Sequence, residues 1–215
     1  MSIKSFISAF INHWEASGYD FLLWSTFPER KIKNSFISDA EFSSFEDILD
    51  FGCGTGTLLL MIKKKYPQIK LTGIDISRQM IHLAGSKIKN AGLDIHVHVY
   101  DGERLPFIEN SFDKIISSFV FHHLKTSFKQ VILKDLLWVL KPGSKLCIVD
   151  FGKSRTFYNK ISFQIIRYLD GFEKTSVNAK GLMPELIKEA GFKKIEEKKI
   201  FNTIWGSVYT WVATK

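Results

Sequence analysis

The stretch Asp50-Phe51-Gly52-Cys53-Gly54-Thr55-Gly56 constrains the fold more than any other part of this 215-residue chain. It follows the apolar pair Ile48-Leu49 and leads into a leucine-rich run that begins at Leu58. Strand, glycine-rich turn, helix is the order in which an α/β protein presents free backbone amides to a nucleotide-like ligand. The glycines stand at Gly52, Gly54 and Gly56, a GxGxG pattern. A dinucleotide fingerprint, GxGxxG, needs its last glycine one place later, where this chain has Thr57. Lacking a Cβ, Gly54 and Gly56 are free to take positive φ and let a ligand lie against the main chain.

Short β-branched runs alternate with helix-period runs along the chain, which predicts a parallel sheet. Helices are expected at residues 3–16 and 29–38, the second entered through Pro28. Strands are expected at 47–51, 70–74, 95–99, 114–118 and 145–150. The intervening helices fall at 58–65, after Ser77 (a natural N-cap), and at 128–140. Lys141-Pro142-Gly143 reads as a turn. Two more helices, 157–169 and 184–190, the latter stopped by Gly191, precede closing strands at 194–200 and 207–213. No linker, repeat or low-complexity segment divides the chain, so one domain is expected.

Composition narrows the class. Hydrophobic residues make up 45% and charged residues 24%, which excludes a disordered chain. A net charge of +8 admits nucleic acid, anionic membrane or anionic substrate as partners. The lysines of the 193–199 run, however, are interleaved with glutamates, and Lys63-Lys64-Lys65 suits a helix C-terminus, so a solvated surface is the simpler reading. The two cysteines, Cys53 and Cys147, have no metal-ligand spacing and fit unpaired thiols of a reducing cytoplasm. His96 and His98 share a strand face without an evident third ligand, and no metal is expected. Asn12, His13 and Glu15 break the N-terminal apolar stretch, which reads as an amphipathic helix and not a signal peptide. No run reaches the length of a membrane span.

Two carboxylates extend the glycine-loop argument. Asp75 closes the second strand 25 residues after Asp50, where it can accept both hydroxyls of a ribose lying over the loop. Asp101-Gly102 follows the third strand, at the sheet edge where ligands of open parallel sheets lie. There Asp101 suits the exocyclic amine of an adenine, and Gly102 leaves room for the ring.

These segments occur in a recognisable order: 48–56, Gly73-Ile74-Asp75-Ile76-Ser77, Asp101 ahead of Leu105-Pro106-Phe107, residues 111–118, His122-His123-Leu124 and Leu140-Lys141-Pro142-Gly143. Together they resemble the class I S-adenosylmethionine-dependent methyltransferases, particularly the small-molecule branch that includes quinone-biosynthesis enzymes. The resemblance runs from about residue 45 to 152. It implies a Rossmann-like α/β fold: a mostly parallel seven-stranded sheet with helices on both faces, an antiparallel last strand and an N-terminal helical cap. The cap would be 1–40, the cofactor-binding core 45–152, a lid insert 153–192 and the final strands 193–215.

The resemblance also implies roles. Asp50, Gly52, Cys53, Gly54 and Gly56 would hold the methionine portion of S-adenosyl-L-methionine, and Asp75 its ribose. Ile76 and Met80 would border the adenine, with Asp101 and Gly102 at its edge. Ser118 would offer a backbone carbonyl to the cofactor's amino group, and S-adenosyl-L-homocysteine would be the product. Ser144 stands where many members carry a second glycine. Ser117-Ser118-Phe119-Val120 replaces the Asn-Pro-Pro-aromatic signature of amino methyltransferases acting on adenine, so a small-molecule acceptor is expected.

An oxygen or carbon acceptor has to lose a proton, and histidine suits that task near neutral pH. His122, following strand four, is the expected base and pocket residue, with His123, Phe119 and Tyr19 as further pocket candidates. The aromatic-rich N-terminal piece and the insert are expected to form a lid over an apolar site. Transfer to RNA or protein, a non-catalytic cofactor binder, and a nicotinamide-dependent oxidoreductase stay open as alternatives at this level.

Overall fold

The computed structural model describes residues 27–215; the expected helix at 3–16 and Tyr19 lie outside them. Seven strands form one sheet in the order β3-β2-β1-β4-β5-β7-β6. β1 (Asp47–Phe51), β2 (Lys70–Asp75), β3 (His96–Val99), β4 (Phe112–Ser118) and β5 (Leu140–Phe151) are mutually parallel. β6 (Lys193–Thr203) and β7 (Gly206–Thr214) are joined antiparallel, and β7 also pairs antiparallel with β5. The expected mixed sheet with its reversed last strand is therefore present. Strand order runs outward from β1 in one direction and from β4 in the other. The carboxyl ends of these two neighbours thus flank the crevice in which such sheets bind ligands.

Alternation along the strands buries both faces. Leu49, Ile115, Leu146 and Ile148 pack on one side with Leu133 and Leu136 of α4 (Thr126–Val139) and Ile187 of α7 (Met183–Glu189). Ile48, Ile116, Cys147 and Val149 face the other side. That face is covered by α1 (Glu29–Asp39), α2 (Thr57–Lys65) and α5 (Phe157–Asp170) through Ile32, Phe36, Leu59, Ile62 and Phe163. Such all-round apolar strands are what a sheet buried on both faces requires. Ser77 caps α3 (Arg78–Ala91) as expected, its Oγ accepting from the Met80 amide at 3.3 Å.

Two local expectations are corrected. The Lys141-Pro142-Gly143 turn is a bulge inside β5. Pairing with β4 jumps from Phe112↔Leu140 to Lys114↔Lys145, and Gly143 takes φ 76°. Pro142 cannot donate to a ladder, so the extra residues are looped out while the strand resumes on both sides. A helix, α6 (Phe172–Lys180), occupies a stretch with weak helical signal. Its polar residues Thr175 and Asn178 are fully buried, so tertiary contacts override propensity there.

Candidate active site

The glycine loop leaves β1 and is tied to β2 at once. The Gly52 and Cys53 amides both donate to the Ile74 carbonyl, at 2.8 and 2.9 Å. The Gly54 amide donates to Asp75 Oδ2, and the Ser77 amide to Asp75 Oδ1, each at 2.9 Å. Gly52 sits at φ 74°, and a Cβ there would stand 2.3 Å from Val120 Cγ2, so the β1 loop and the β4 loop meet through this glycine. Gly54, at φ 53°, has no atom within 4 Å of its would-be Cβ: the space it faces is open. Gly56 is different, since its Cβ would meet Ala84 of α3 at 3.1 Å.

Open space in front of Gly54 belongs to a cavity of about 580 Å³, within the ordinary range of small-molecule sites. Asp50 lines it with one per cent exposure, and neither of its carboxylate oxygens has a hydrogen-bond partner among the described residues. Burial pushes the Asp50 carboxyl up to about 7; Lys33 pulls it down and Asp75 adds to the rise. A buried carboxylate without donors is costly unless something positively charged arrives. Asp75 is also raised by burial, moderated by the amides of Ser77, Gly54 and Ile76. Its oxygens accept these amides and keep lone-pair capacity in a wall of the cavity.

Of the residues singled out in the sequence, Asp50, Gly52, Cys53, Gly54, Asp75, Ile76, Met80, Gly102, Ser118, Phe119 and His123 line this cavity. Gly56 packs on α3 instead, and Asp101 is exposed, its Oδ1 accepting from the Glu103 amide at 3.0 Å. Ser118 Oγ is buried without a partner among the described residues. The following residue, Phe119, adopts φ 58°, uncommon for a bulky side chain, and its ring joins Phe27 and Phe151 at centroid distances of 5.3 and 5.7 Å. Burial first, then Asp50 and Asp75, push the Cys53 thiol up, which favours the neutral thiol over the thiolate.

His122 departs from the expectation that it lines the pocket. It is four per cent exposed and turned inward, with Nδ1 2.6 Å from Asp150 Oδ1 while its amide donates to Asp150 Oδ2. Burial pushes the Asp150 carboxyl up, but the charge and hydrogen bond of His122, with the Phe151 amide, bring it below the usual carboxylate range. A fully buried acid at the end of β5 thus claims the nearer histidine. The His123 ring lies against it, centroids 3.8 Å apart and planes tilted by 45°, and lines the cavity.

Several lining residues were not foreseen. Glu29 and Lys33 form an i,i+4 ion pair on α1, a spacing that reads as solvated surface. Lys87 reaches from α3 to Thr55 Oγ1 at 2.9 Å. Lys174 is the one cavity-lining residue of the 153–192 insert among the described residues. Lys129, fully buried on α4, secures that segment by donating to the Lys174 carbonyl at 2.6 Å and Asn178 Oδ1 at 2.7 Å. The insert's aromatics go elsewhere: Phe163 is core, while Phe157, Tyr158, Tyr168 and Phe172 face outward.

A family model described as a methyltransferase domain matches residues 48–143, the stretch that carries the loop, Asp75 and His122-His123. The ubiquinone/menaquinone biosynthesis C-methyltransferase UbiE of Blochmanniella floridana is 31% identical over 174 residues, covering 76% of this chain and 68% of that protein. The chain belongs to the class I S-adenosylmethionine-dependent methyltransferases. The O-methyltransferase cnsE of Penicillium expansum is 34% identical over 161 residues, and the chain spans 56% of that enzyme's length. Among solved structures, a SAM-dependent methyltransferase from Aquifex aeolicus superposes with a TM-score of 0.67 at 20% identity, covering 92% of this chain and 98% of that one. S-Adenosylmethionine is accordingly the methyl donor of this methyltransferase, in preference to a nicotinamide cofactor. The cavity fits that donor: an unpartnered buried acid for an ammonium group, a glycine whose side-chain space is open, and an acid with lone pairs to spare.

Proposed function

We propose that this methyltransferase binds its cofactor over the Gly52–Gly56 loop and transfers the methyl group to a small apolar or aromatic acceptor of the quinol or phenol kind. One observation carries the reading. The cavity that contains Asp50, Gly54 and Asp75 continues without a break along Phe119, Val120, Leu124, Phe128 and Ile132. An apolar wall adjoining a polar cradle suits a flat, greasy acceptor. The names of the relatives, quinone C-methyltransferases and an O-methyltransferase, point to the same class.

In this reading Asp50 takes the ammonium group of the methionine portion, and the Ser118 carbonyl assists it. Asp75 accepts from the ribose hydroxyls, Ile76 and Met80 hold the adenine, and Gly102 leaves room at its edge with Asp101 nearby. When bound, S-adenosylmethionine supplies an electrophilic methyl group that is transferred by in-line displacement. The protein's part is chiefly to align the acceptor, a contribution that reaches roughly 7–11 kcal/mol in well-oriented systems. Proton removal from the acceptor falls to the histidine pair. His123 stands at the wall, and His122, held by Asp150, positions it from behind. Lys33 of α1 and the Lys174 segment border the site. Both cysteines are free and buried, in keeping with a reducing, cytoplasmic setting.

The test is methyl transfer from isotopically labelled S-adenosylmethionine to a panel of demethylated quinols, phenols, total RNA and a protein extract. Label in a quinol or phenol supports the proposal. Label in RNA or protein alone overturns it.

A further inference from the structure

Helix α5 carries apolar residues on its outer side as well as on the side that faces the core. Asn159, Phe163 and Ile166 are buried against the sheet. On the outer side Phe157 and Tyr158 are 73% and 82% exposed, Ile161 55%, Ile165 40% and Tyr168 79%. At about 3.6 residues per turn these five side chains fall within an arc of roughly 100°. The buried trio occupies the opposite arc. Phe172, at the start of α6, is a further exposed aromatic, 53% accessible. Along one margin of the arc lie Lys160, exposed, and Arg167, whose guanidinium rests 4.8 Å over the Phe172 ring.

We propose that this face of α5 docks on an anionic membrane surface. An outward apolar arc, tyrosines at both ends and a basic margin describe a helix that lies in the headgroup plane. Charge favours a bilayer over a neutral partner. Residues 153–174 hold five basic residues against two acids, within a chain of net charge +8. One of those acids, Glu173, is already paired with Lys125 at 3.0 Å. At 14 residues α5 is too short to cross a bilayer, and no described helix is long and apolar enough to do so. The face therefore rests on the membrane. Lys174 lies two residues beyond Phe172 in the wall of the cavity, so docking would set the cavity beside the lipid phase. This inference stands whether or not the acceptor is a quinol, because vesicle binding is measured without one.

The experiment is co-sedimentation of the full chain with vesicles of phosphatidylglycerol and phosphatidylcholine, against vesicles of phosphatidylcholine alone, over a salt series. The wild type is expected on the anionic vesicles, at least about tenfold tighter than on the neutral ones, with binding that weakens as salt rises. Ile161→Glu/Ile165→Glu is expected to lose binding by at least about tenfold, and Lys160→Ser by about fivefold. Both substitutions are at exposed positions, and retained cofactor binding in calorimetry shows that the variants are folded. Should the double variant fail to fold, Tyr168→Ser carries the same comparison. Wild-type protein that ignores anionic vesicles overturns the proposal. So does equal binding by the folded variants, or a dimer in sedimentation velocity that the same substitutions dissolve, which would make the face a self-association surface.

Discussion

The Gly54 amide donates to Asp75 Oδ2 across 2.9 Å, so the glycine loop and the acid at the end of β2 form one unit, not two adjacent motifs. Asp75 also accepts from the Ser77 amide at 2.9 Å and so fixes the start of α3. Replacing it with alanine frees both amides and, in the proposed binding mode, removes the acceptor of the ribose hydroxyls. Asp75→Ala is expected to weaken S-adenosylmethionine binding about 100-fold, near 3 kcal/mol, with Asp75→Asn intermediate. Calorimetric titration with the cofactor and with S-adenosylhomocysteine checks this; unchanged affinity in the alanine variant would remove Asp75 from the site.

Asp50 makes the stability of the cofactor-free protein pH-dependent. Its folded pKa, about 7, lies above the ordinary carboxylate value, with burial as the main cause. Between roughly pH 4 and 7 the folded state therefore holds a proton that the unfolded chain has released. The cofactor-free protein should lose stability as pH rises through this window, by on the order of 2–4 kcal/mol. Asp50→Asn should abolish that loss while weakening cofactor binding. In the wild type, affinity for the cofactor's ammonium group should rise with pH up to about 7 and then level off. Thermal unfolding and titration at pH 5, 6, 7 and 8 follow both effects; parallel stability curves for the two proteins would contradict the assignment.

Gly52 and Gly54 separate packing from binding. At Gly52 an added Cβ would stand 2.3 Å from Val120 Cγ2 at φ 74°, so Gly52→Ala should cost about 2–4 kcal/mol of stability. At Gly54 nothing stands within 4 Å, and alanine should cost only about 1 kcal/mol from its φ of 53°. Its methyl would nevertheless occupy the cavity, so Gly54→Ala should lose far more cofactor affinity than stability. Unfolding curves beside titrations distinguish the two, and similar stability losses in both variants would defeat the argument.

The two histidines should part company in the same way. His122→Ala leaves the buried Asp150 carboxylate with only backbone amides as partners and should cost about 3–5 kcal/mol near neutral pH. Because the Asp150 carboxyl is held below its ordinary range, that stabilisation is present above about pH 4 and is lost as pH falls through the folded value. The difference between wild type and variant should shrink accordingly in acid. His123→Ala should change stability by no more than about 1 kcal/mol and lower turnover, with the neutral limb of the pH–rate profile displaced. A His123→Ala enzyme with unaltered turnover and profile would leave the proton to another group.

Much of this was legible in the sequence because it is written locally. Strand β1, its glycine turn and α2 are consecutive, and the residue types needed for a tight turn stand at the turn itself. Asp75 and Ser77 are two residues apart, and their roles at the end of β2 follow from hydrogen bonds to neighbouring amides. The bulge at Lys141-Pro142-Gly143 was missed for the opposite reason: what keeps that segment in the sheet is pairing with β4, a partner more than 20 residues away. Helix α6 was missed because its burial against α4, through Lys129 and Asn178, compensates a poor helical sequence.

By itself, the sequence determined the alternation of elements, the mixed sheet, the glycine loop and the acid opposite it. These depend on backbone geometry and on side chains a few residues apart. The tertiary structure alone decided which histidine meets the cavity, since Asp150 lies 28 residues beyond His122 and captures its ring. It alone brought Lys33 of α1 beside Asp50 and turned the aromatics of α5 outward from the site they were expected to cover. Side-chain direction at such positions is fixed by competition among distant partners for a buried charge or a packed face, and local spacing carries no record of which partner wins.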